Sequence, residues 1–502
     1  MQLSQNIIHF ETLGCRLNQD ETEGAARSFT LSGFKSDLAG VSAKTSENLD
    51  VILSVINTCT VTTKAEQKAR RLIRLLLEKY PNAPVVVTGC YAELDAKEIR
   101  AIAPERISVL AGTCKFYLSA LASGFKENID SFLDTNGLIK ASLLDDFFAD
   151  VKANEKKFSL NSSSKLSPVN LRAPARALDT FSLYTPVFEK HSRASIKIQD
   201  GCNNVCTYCR IRLARGKSVS LPVEEAVQQV QALERAGQQE VVITTVNIAQ
   251  YRAPWKGGHA DFTELLQELL SATDHIKIRI SSLYPEIVDE RLCAVIAHPR
   301  VQSHFHISVQ SGSDSVLARM KRPYRIATVY RACELLRKVK GAPFLACDII
   351  AGFPGETDED FALTKKMLTE CNFTYVHAFP FSPRPGTEAY TMRPQVANNI
   401  TSARIAWLEE FSKKQKEAYI QSFAGTTLSA VCESIHRARL VRERVIVHAV
   451  TENFLHCQLS FSPNDATIPV AGSLISVRIR RPLTVNERTG ESDTLAVVSD
   501  PL

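Results

Sequence analysis

The sequence predicts an α/β protein in three parts: an N-terminal open parallel α/β domain, a central partial (β/α)6 barrel and a small C-terminal β-barrel. Three observations predict it. Over residues 1–125, short apolar runs alternate with amphipathic ones, the pattern of a parallel sheet with helices on its faces. Between Ala194 and about residue 421, six strand-helix units follow one another, where a closed barrel needs eight and typically ~250 residues. After residue 422 the strands become short and closely spaced, as in a small barrel.

Composition sets the outer limits. A chain of 502 residues with 44% hydrophobic content is long enough for several cores. Its 13 cysteines, an odd number with three of them clustered, argue for a reducing compartment rather than a disulfide framework. No run approaches the ~18–20 apolar residues of a membrane-spanning helix, and the opening MQLSQNIIHF has no basic stretch followed by an apolar one. A cytoplasmic location with no membrane partner is therefore expected. The net charge of +6 permits an RNA partner without requiring one.

In the N-terminal domain (1–125) the strands are Ile7–Leu13, Val51–Thr58 and Val85–Gly89, and each runs into a cysteine: Cys15 after Gly14, Cys59, and Cys90 after Gly89. Neighbouring strands of an open α/β sheet bring their carboxyl ends to one edge, where ligands bind, so these three thiols are expected to converge as a metal-cluster site. A lone cysteine is more often a small buried hydrophobe, and Cys114, without the same placement, is read that way. Thr63-Lys64-Ala65-Glu66 has the form of a capping box and opens a helix that is apolar on one side and basic on the other. That basic side is a solvated face or an RNA contact.

Residues 126–188 read as an insertion or linker, with Asn161-Ser162-Ser163-Ser164-Lys165, Pro168, Pro174 and Pro186, and with an acidic, aromatic helix over Leu143–Val151. The central domain (189–421) places its strands at Ser195–Gln199, Glu240–Val246, Lys277–Ser281, His304–Gln310, Phe344–Ile350 and Tyr375–Phe381. Directly after the first comes Cys202-Asn203-Asn204-Val205-Cys206-Thr207-Tyr208-Cys209, a C-x3-C-x2-C run. Three soft thiolates on one loop suit an iron-sulfur cluster, and a cubane held by three cysteines keeps one iron open. Half of a zinc site or three structural thiols are the alternatives. Sites in such sheets lie at the carboxyl ends of the strands, which selects Gln310 and the turn Gly352-Phe353-Pro354-Gly355-Glu356. Ser281, Ser282, Tyr284 and Arg384 are weaker candidates. His304 and His306, with no third ligand, are expected to satisfy a polar interior.

The last part (422–486, with a tail at 487–502) places strands at Thr426–Val431, Leu440–Val447, Phe454–Leu459 and Leu474–Ile479. Between residues 422 and 482 it carries seven arginines, Arg437, Arg439, Arg442, Arg444, Arg478, Arg480 and Arg481, against four acidic residues and no lysine. That balance suits RNA phosphates or a merely solvated surface.

Three stretches, Thr12-Leu13-Gly14-Cys15-Arg16-Leu17-Asn18-Gln19, Asn57-Thr58-Cys59-Thr60-Val61 and Thr88-Gly89-Cys90-Tyr91-Ala92-Glu93, together with the C-x3-C-x2-C run, resemble the motifs of the radical SAM methylthiotransferase family. The resemblance covers the chain apart from the insertion. It implies an auxiliary 4Fe-4S cluster on Cys15, Cys59 and Cys90, and a radical 4Fe-4S cluster on Cys202, Cys206 and Cys209 whose open iron chelates S-adenosylmethionine, with Tyr208 as the usual aromatic before the last cysteine. It also implies cofactor contacts from Asn247, Gln310, Gly352 and Gly355, and a C-terminal TRAM domain, with Thr451-Glu452-Asn453-Phe454 its most recognisable piece. Two departures stand out. Thr245 occupies a position where the family commonly has glycine, and Arg210, Ile211 and Arg212 replace an apolar stretch before Arg215-Gly216.

The first motif, continued by Glu21-Thr22-Glu23, resembles the branch that acts on threonylcarbamoyladenosine in tRNA. The implied reaction converts that base, beside the anticodon, to its 2-methylthio derivative. Arg16 or Arg215 would suit the threonyl carboxylate by charge-assisted pairing. The expected partners are a tRNA anticodon loop and an electron donor such as flavodoxin or ferredoxin. Family alternatives are isopentenyladenosine in tRNA and a ribosomal-protein aspartate as substrates. A different class, a non-catalytic iron-sulfur electron carrier or RNA-binding redox sensor, would need neither six strand-helix units nor the Gly352–Glu356 turn.

Overall fold

Val, Ile and Thr concentrate in the short runs that form the first sheet, because their branched side chains pack well on a pleated surface and lose rotamers in a helix. A computed structural model describes residues 6–153, 180–188, 193–438, 444–483 and 497–501. The first elements are β1 (Ile7–Thr12), α1 (Arg16–Leu31), β2 (Lys35–Asp37), β3 (Val51–Thr58), α2 (Thr63–Lys79), β4 (Val85–Gly89), α3 (Cys90–Leu94), α4 (Ala96–Arg100), β5 (Ile107–Val109), α5 (Tyr117–Asn128) and α6 (Ala141–Ala153). The strands form one sheet in the order β2-β1-β3-β4-β5, every pair parallel. Two buried layers cover it. One gathers Phe10, Phe29, Phe34 and Phe125; the other gathers Ile56, Ile73, Leu76 and Val87.

Two local expectations change. Thr62, not Thr63, caps α2, accepting a hydrogen bond from the Ala65 amide at 3.1 Å, and Glu66 is left for other partners. Residues 129–153, read as linker, instead complete the first core: Phe132, Leu144, Phe148 and Val151 are buried with Phe29 and Phe125. Asp145 pairs with Arg100 and accepts from the Ser108 hydroxyl at 2.7 Å. The helix over Leu143–Val151 exists as α6, its apolar positions masked in the sequence by intervening acids. Asn161–Lys165, Pro168, Pro174, Arg439, Arg442 and residues 487–496 lie outside the described residues.

The chain divides into two units, the first comprising Met1–Thr185, Lys197–Asn203 and Cys209–Pro222, the second Pro186–Ile196, Asn204–Tyr208 and Val223–Leu502. The strand before the cysteine run, β6 (Ala194–Asp200), thus belongs partly to each, and its last two residues pair antiparallel with β7 (Val219–Ser220) inside the first unit. A boundary at residue 189 does not capture this division. Buried ion pairs draw 197–203 and 209–222 to the N-terminal sheet.

In the second unit, β8 (Glu240–Thr245) is followed by a hairpin of β9 (Ala253–Trp255) and β10 (Gly258–Ala260), and β8 pairs in parallel with β11 (Lys277–Ile280). One residue, Ser281, separates β11 from β12 (Ser282–Leu283), which begins a second parallel sheet continuing through β13 (His304–Gln310), β14 (Phe344–Ala351) and β15 (Tyr375–Pro380). All six expected strands are present. The C-terminal strands β16 (Thr427–Ala438), β17 (Arg444–Thr451), β18 (His456–Phe461), β19 (Leu474–Pro482) and β20 (Val497–Pro501) close a barrel in the order β16-β17-β18-β20-β19. The expected tail therefore supplies the closing strand.

That barrel shares its core with the start of β14: Val447, Leu459, Val477 and Ile479 pack with Phe344 and with Ile420 of the helix Asn398–Ser422. The Thr451–Phe454 turn is the latch. Phe454 has a φ of 64°, stacks on His304 with ring centroids 3.9 Å apart, and lies under the Arg279 guanidinium at 5.4 Å. Beneath it Glu240 takes Arg279 Nε at 2.7 Å, Gln302 Nε2 at 2.7 Å and Arg193 Nη1 at 3.3 Å, and Arg193 also pairs with Glu433 at 2.7 Å.

Candidate iron-sulfur and substrate site

Because β1, β3 and β4 are adjacent and parallel, their carboxyl ends bring Cys15, Cys59 and Cys90 to one edge. Cys15 is the N-cap residue of α1, Cys59 follows β3, and Cys90 opens α3. Gly14 has a φ of 106°, and a Cβ there would stand 2.5 Å from Cys59 Cβ; the turn therefore needs glycine to let the first two cysteines approach. Burial pushes the Cys59 thiol up to about 11, opposed by the Val61 amide and reinforced by Cys90 and Cys15. Burial likewise raises Cys15, against the pull of Arg215. Such thiols ionise only beside a strong positive centre, which an iron cluster provides. No three His, Cys, Asp or Glu side chains among the described residues crowd one point as a single metal ion requires. A cubane spreads its thiolates over three irons.

Behind these cysteines lies a buried ionic network. Glu21 of α1 accepts Lys115 Nζ at 2.6 Å, Lys197 Nζ at 2.8 Å and Arg215 Nη1 at 3.1 Å. Asp200 accepts Lys197 at 3.0 Å and Arg215 at 2.9 Å, and Arg215 Nη2 donates to Asn18 Oδ1 at 2.7 Å. Burial alone would raise both carboxyls, but Arg215 and the lysines hold Asp200 down to about 2 and Glu21 well below the carboxylate range. Three cations face two carboxylates. The surplus suits the net negative charge of a cubane on three thiolates, and Thr88 Oγ1, buried without a partner among the described residues, is a spare donor for it. The network lines a cavity of about 570 Å³ whose wall also includes Cys90, Thr113, Phe116 and Leu183.

Arg215, named as a partner for a threonyl carboxylate, lines this cavity, and its guanidinium is engaged by internal partners. Arg16, half-buried at the start of α1, is not among the cavity-lining residues. Arg210, noted only as a departure, proves to be a tie. Its Nη1 donates to Glu66 at 3.1 Å and to Thr60 Oγ1 at 3.3 Å, and its Nη2 donates to Asp95 at 3.2 Å. The residue after Cys209 is thereby fastened to the residue after Cys59 and to the end of the helix that Cys90 opens. Cys209 Sγ accepts from the Ile211 amide at 3.4 Å.

In the second unit, Arg322 donates to Cys206 Sγ at 3.4 Å and lies over the rings of Tyr284 and Tyr324 at 4.7 and 4.9 Å. Arg322 is thereby a direct neighbour of the cysteine run, and nothing in its sequence neighbourhood marks it; a donor at that sulfur would tune the potential of a cluster held there. Tyr208 packs edge-on against Phe353 at 6.3 Å, joining the cysteine run to the Gly352–Glu356 turn. Gln310 ends β13 with a φ of 71°, a strained geometry for a non-glycine residue at the edge where ligands bind. Asn247 caps a short turn, accepting from the Ala249 amide at 3.1 Å.

The Gly352 reading shifts. A Cβ there would run into the Thr401 hydroxyl, and the Gly352 amide donates to Glu356 at 2.6 Å, so packing against the Asn398–Ser422 helix already demands glycine. Gly355 donates to the Pro394 carbonyl at 2.8 Å and accepts from Arg319 at 3.0 Å. As expected for a polar interior, His306 is satisfied by Ser282 at 2.9 Å and Asp348 at 3.1 Å.

Residues 196–368 match the model of the Radical SAM superfamily, and residues 7–112 match that of Uncharacterized protein family UPF0004. The threonylcarbamoyladenosine tRNA methylthiotransferase MtaB of Treponema pallidum is 42% identical over 94% of this chain and 98% of its own length. The enzyme of the same name from Bacillus subtilis is 30% identical over 99% of this chain and 98% of its own. By contrast, the tRNA-2-methylthio-N(6)-dimethylallyladenosine synthase of Akkermansia muciniphila is 28% identical over 79% and 81%. Six cysteines in two sets, two matching domain models and relatives aligned from end to end lead to one conclusion: the chain belongs to the threonylcarbamoyladenosine tRNA methylthiotransferase family, a radical SAM family.

Proposed function

We propose that this chain converts N6-threonylcarbamoyladenosine to its 2-methylthio derivative beside the anticodon of tRNA. The observation that carries the reading is the meeting of Cys15, Cys59 and Cys90 at the ends of three adjacent parallel strands, beside a cation-rich cavity. A simple electron carrier needs no such cavity. Cys15, Cys59 and Cys90 would hold an auxiliary 4Fe-4S cluster, and Cys202, Cys206 and Cys209 a radical one. Bound there with S-adenosylmethionine, these groups supply the radical that removes hydrogen from an unactivated carbon and the sulfur that replaces it.

The protein's own task is placement and exclusion of water. Arg322 holds Cys206, Arg210 anchors the segment after Cys209, and Tyr208 seats the run against Phe353. Asn247, Gln310, Gly352 and Gly355, at or beyond the strand ends, flank the cofactor. For the threonyl carboxylate, Arg215 stands where positive charge is in surplus and Arg16 beside Cys15. The parts are a methylthiotransferase domain, a six-strand partial barrel and a TRAM domain whose Arg478, Arg480 and Arg481 lie exposed on β19. A flavodoxin or ferredoxin in the cytoplasm would supply electrons. Among the described residues no helix is long and apolar enough to cross a membrane.

The test compares two anticodon-loop RNAs, one bearing threonylcarbamoyladenosine and one isopentenyladenosine, with reconstituted enzyme, a reductant and S-adenosylmethionine. Mass spectrometry should find methylthiolation of the first. Reaction of the second alone would reverse the substrate assignment.

A further inference from the structure

Helix α2 begins five residues after Cys59's strand ends, and its buried side, Ala69, Ile73 and Leu76, packs on the sheet. The opposite side is exposed at Lys64, Lys68, Arg71 and Arg74. At 100° per residue these four fall within about one third of the helix circumference and extend about 15 Å along its axis. Other cations of the helix are neutralised: Arg70 by Glu98 at 2.9 Å and Lys79 by Glu78 at 2.9 Å. The four on the outer side make no ion pair among the described residues. Where acids are interleaved on other helices they do pair, as Lys414 with Glu410, Arg331 with Glu290 and Lys366 with Glu370 show; the outer side of α2 is distinguished by four such cations in one row.

A row of like charges destabilises its own helix by a few tenths of a kcal/mol per neighbouring pair, so an unneutralised row stands out where acids could have been interleaved. We propose that the outer face of α2 is an RNA-docking surface, on which Lys64, Lys68, Arg71 and Arg74 engage successive phosphates of the substrate's anticodon arm. The inference rests on the tRNA reading above and adds where the backbone is gripped. Charge complementarity selects a polyanion, and a one-helix-long line of cations follows a phosphate strand rather than the rounded face of an acidic protein. Phosphate contacts position without reading sequence, so this grip would set the approach of the RNA, while the base is chosen at the cavity beside Cys90.

The experiment uses reconstituted full-length protein and an anticodon stem-loop bearing threonylcarbamoyladenosine, with affinity measured by fluorescence anisotropy from about 0.05 to 0.3 M salt. The variant is Lys68→Gln/Arg71→Gln/Arg74→Gln, whose exposed positions leave the core intact. Its plot of log affinity against log salt should be shallower by about 2–3, since each lost phosphate contact removes about 0.7–0.9. Affinity near 0.1 M salt should fall at least about tenfold, with 5′-deoxyadenosine release in the absence of RNA unchanged. An unaltered slope and affinity would overturn the inference while leaving the tRNA reading standing. Unaltered RNA binding with slower reduction by an acidic flavodoxin would assign the face to the electron donor and overturn it equally. If the unsubstituted protein itself binds no stem-loop, the tRNA reading and this inference fall together.

Discussion

The molecule contains two buried ionic networks at opposite kinds of strand end. In the first unit, Glu21 and Asp200 meet Lys115, Lys197 and Arg215 beyond the carboxyl ends of β1, β3 and β4, with one cation in surplus and a cavity beside them. In the second unit, Glu240 and Glu433 meet Arg193 and Arg279 around the amino ends of β8 and β6, charge for charge, capped by Phe454. Desolvation is costly in both, and breaking either leaves an uncompensated charge. An unbalanced network facing a cavity has a charge still to be matched, and hence a ligand to expect. A balanced, sealed one is architecture.

The largest effect should come from emptying the first region's edge. Cys59→Ala should abolish methylthiolated product while release of 5′-deoxyadenosine persists, and changing Cys202, Cys206 and Cys209 together to Ala should halve the iron content from about eight to about four per chain. Loss of cleavage in a folded Cys59→Ala protein that keeps its second cluster would erase the distinction between the regions. Next, Glu240→Ala should cost about 3–5 kcal/mol in urea unfolding, by stranding Arg279 and Arg193, yet leave iron per folded chain unchanged.

The same carboxylate gives a pH signature. Burial opposes ionisation, but Arg279 and Arg193 hold Glu240 down to about 2, below its ordinary 4.5. Its stabilisation is therefore complete above about pH 5 and is lost as pH falls toward 2, amounting to about 3 kcal/mol. The difference in stability between the parent protein and Glu240→Gln should shrink over that interval; a constant difference would mean Glu240 is not held ionised. Smaller still, Arg210→Lys cannot reach Glu66 and Asp95 together, and should cost about 1–2 kcal/mol, read as faster hydrogen exchange around residues 60–66 and 90–95. Arg331→Ala, which removes an exposed pair with Glu290, should change stability by less than about 0.5 kcal/mol and serves as the baseline.

The cysteine edge of the first region was legible in one dimension, and the ionic network of neither region was. Cys15, Cys59 and Cys90 each end a strand, a local signal that becomes a site once the strands are neighbours. Helix α6 was visible as a pattern, but its burial against Phe29 and Phe125 was not, because acidic residues between Leu144 and Phe148 dilute the apolar spacing. The partners of Glu240 and Arg210 are distant in sequence, and no period or motif announces an ion pair. Gly352 shows the converse: its motif points to a ligand, and nothing in the sequence signals that Thr401 independently requires a glycine there. The closing strand β20 escaped because five residues beyond a polar stretch carry little pattern of their own.

The latch at Phe454 fixes one more property. It ties the C-terminal barrel to His304 and Phe344, the first residues of β13 and β14, whereas Gln310 and the Gly352 turn lie at their far ends. A seven- to eight-residue strand spans about 20–25 Å. The barrel is therefore fastened about one strand length from the ends where Gln310 and the Gly352 turn sit. Strand length, and not a loop that could lengthen or shorten, sets that spacing, so the second unit keeps its barrel and its strand-end residues at a fixed remove from each other.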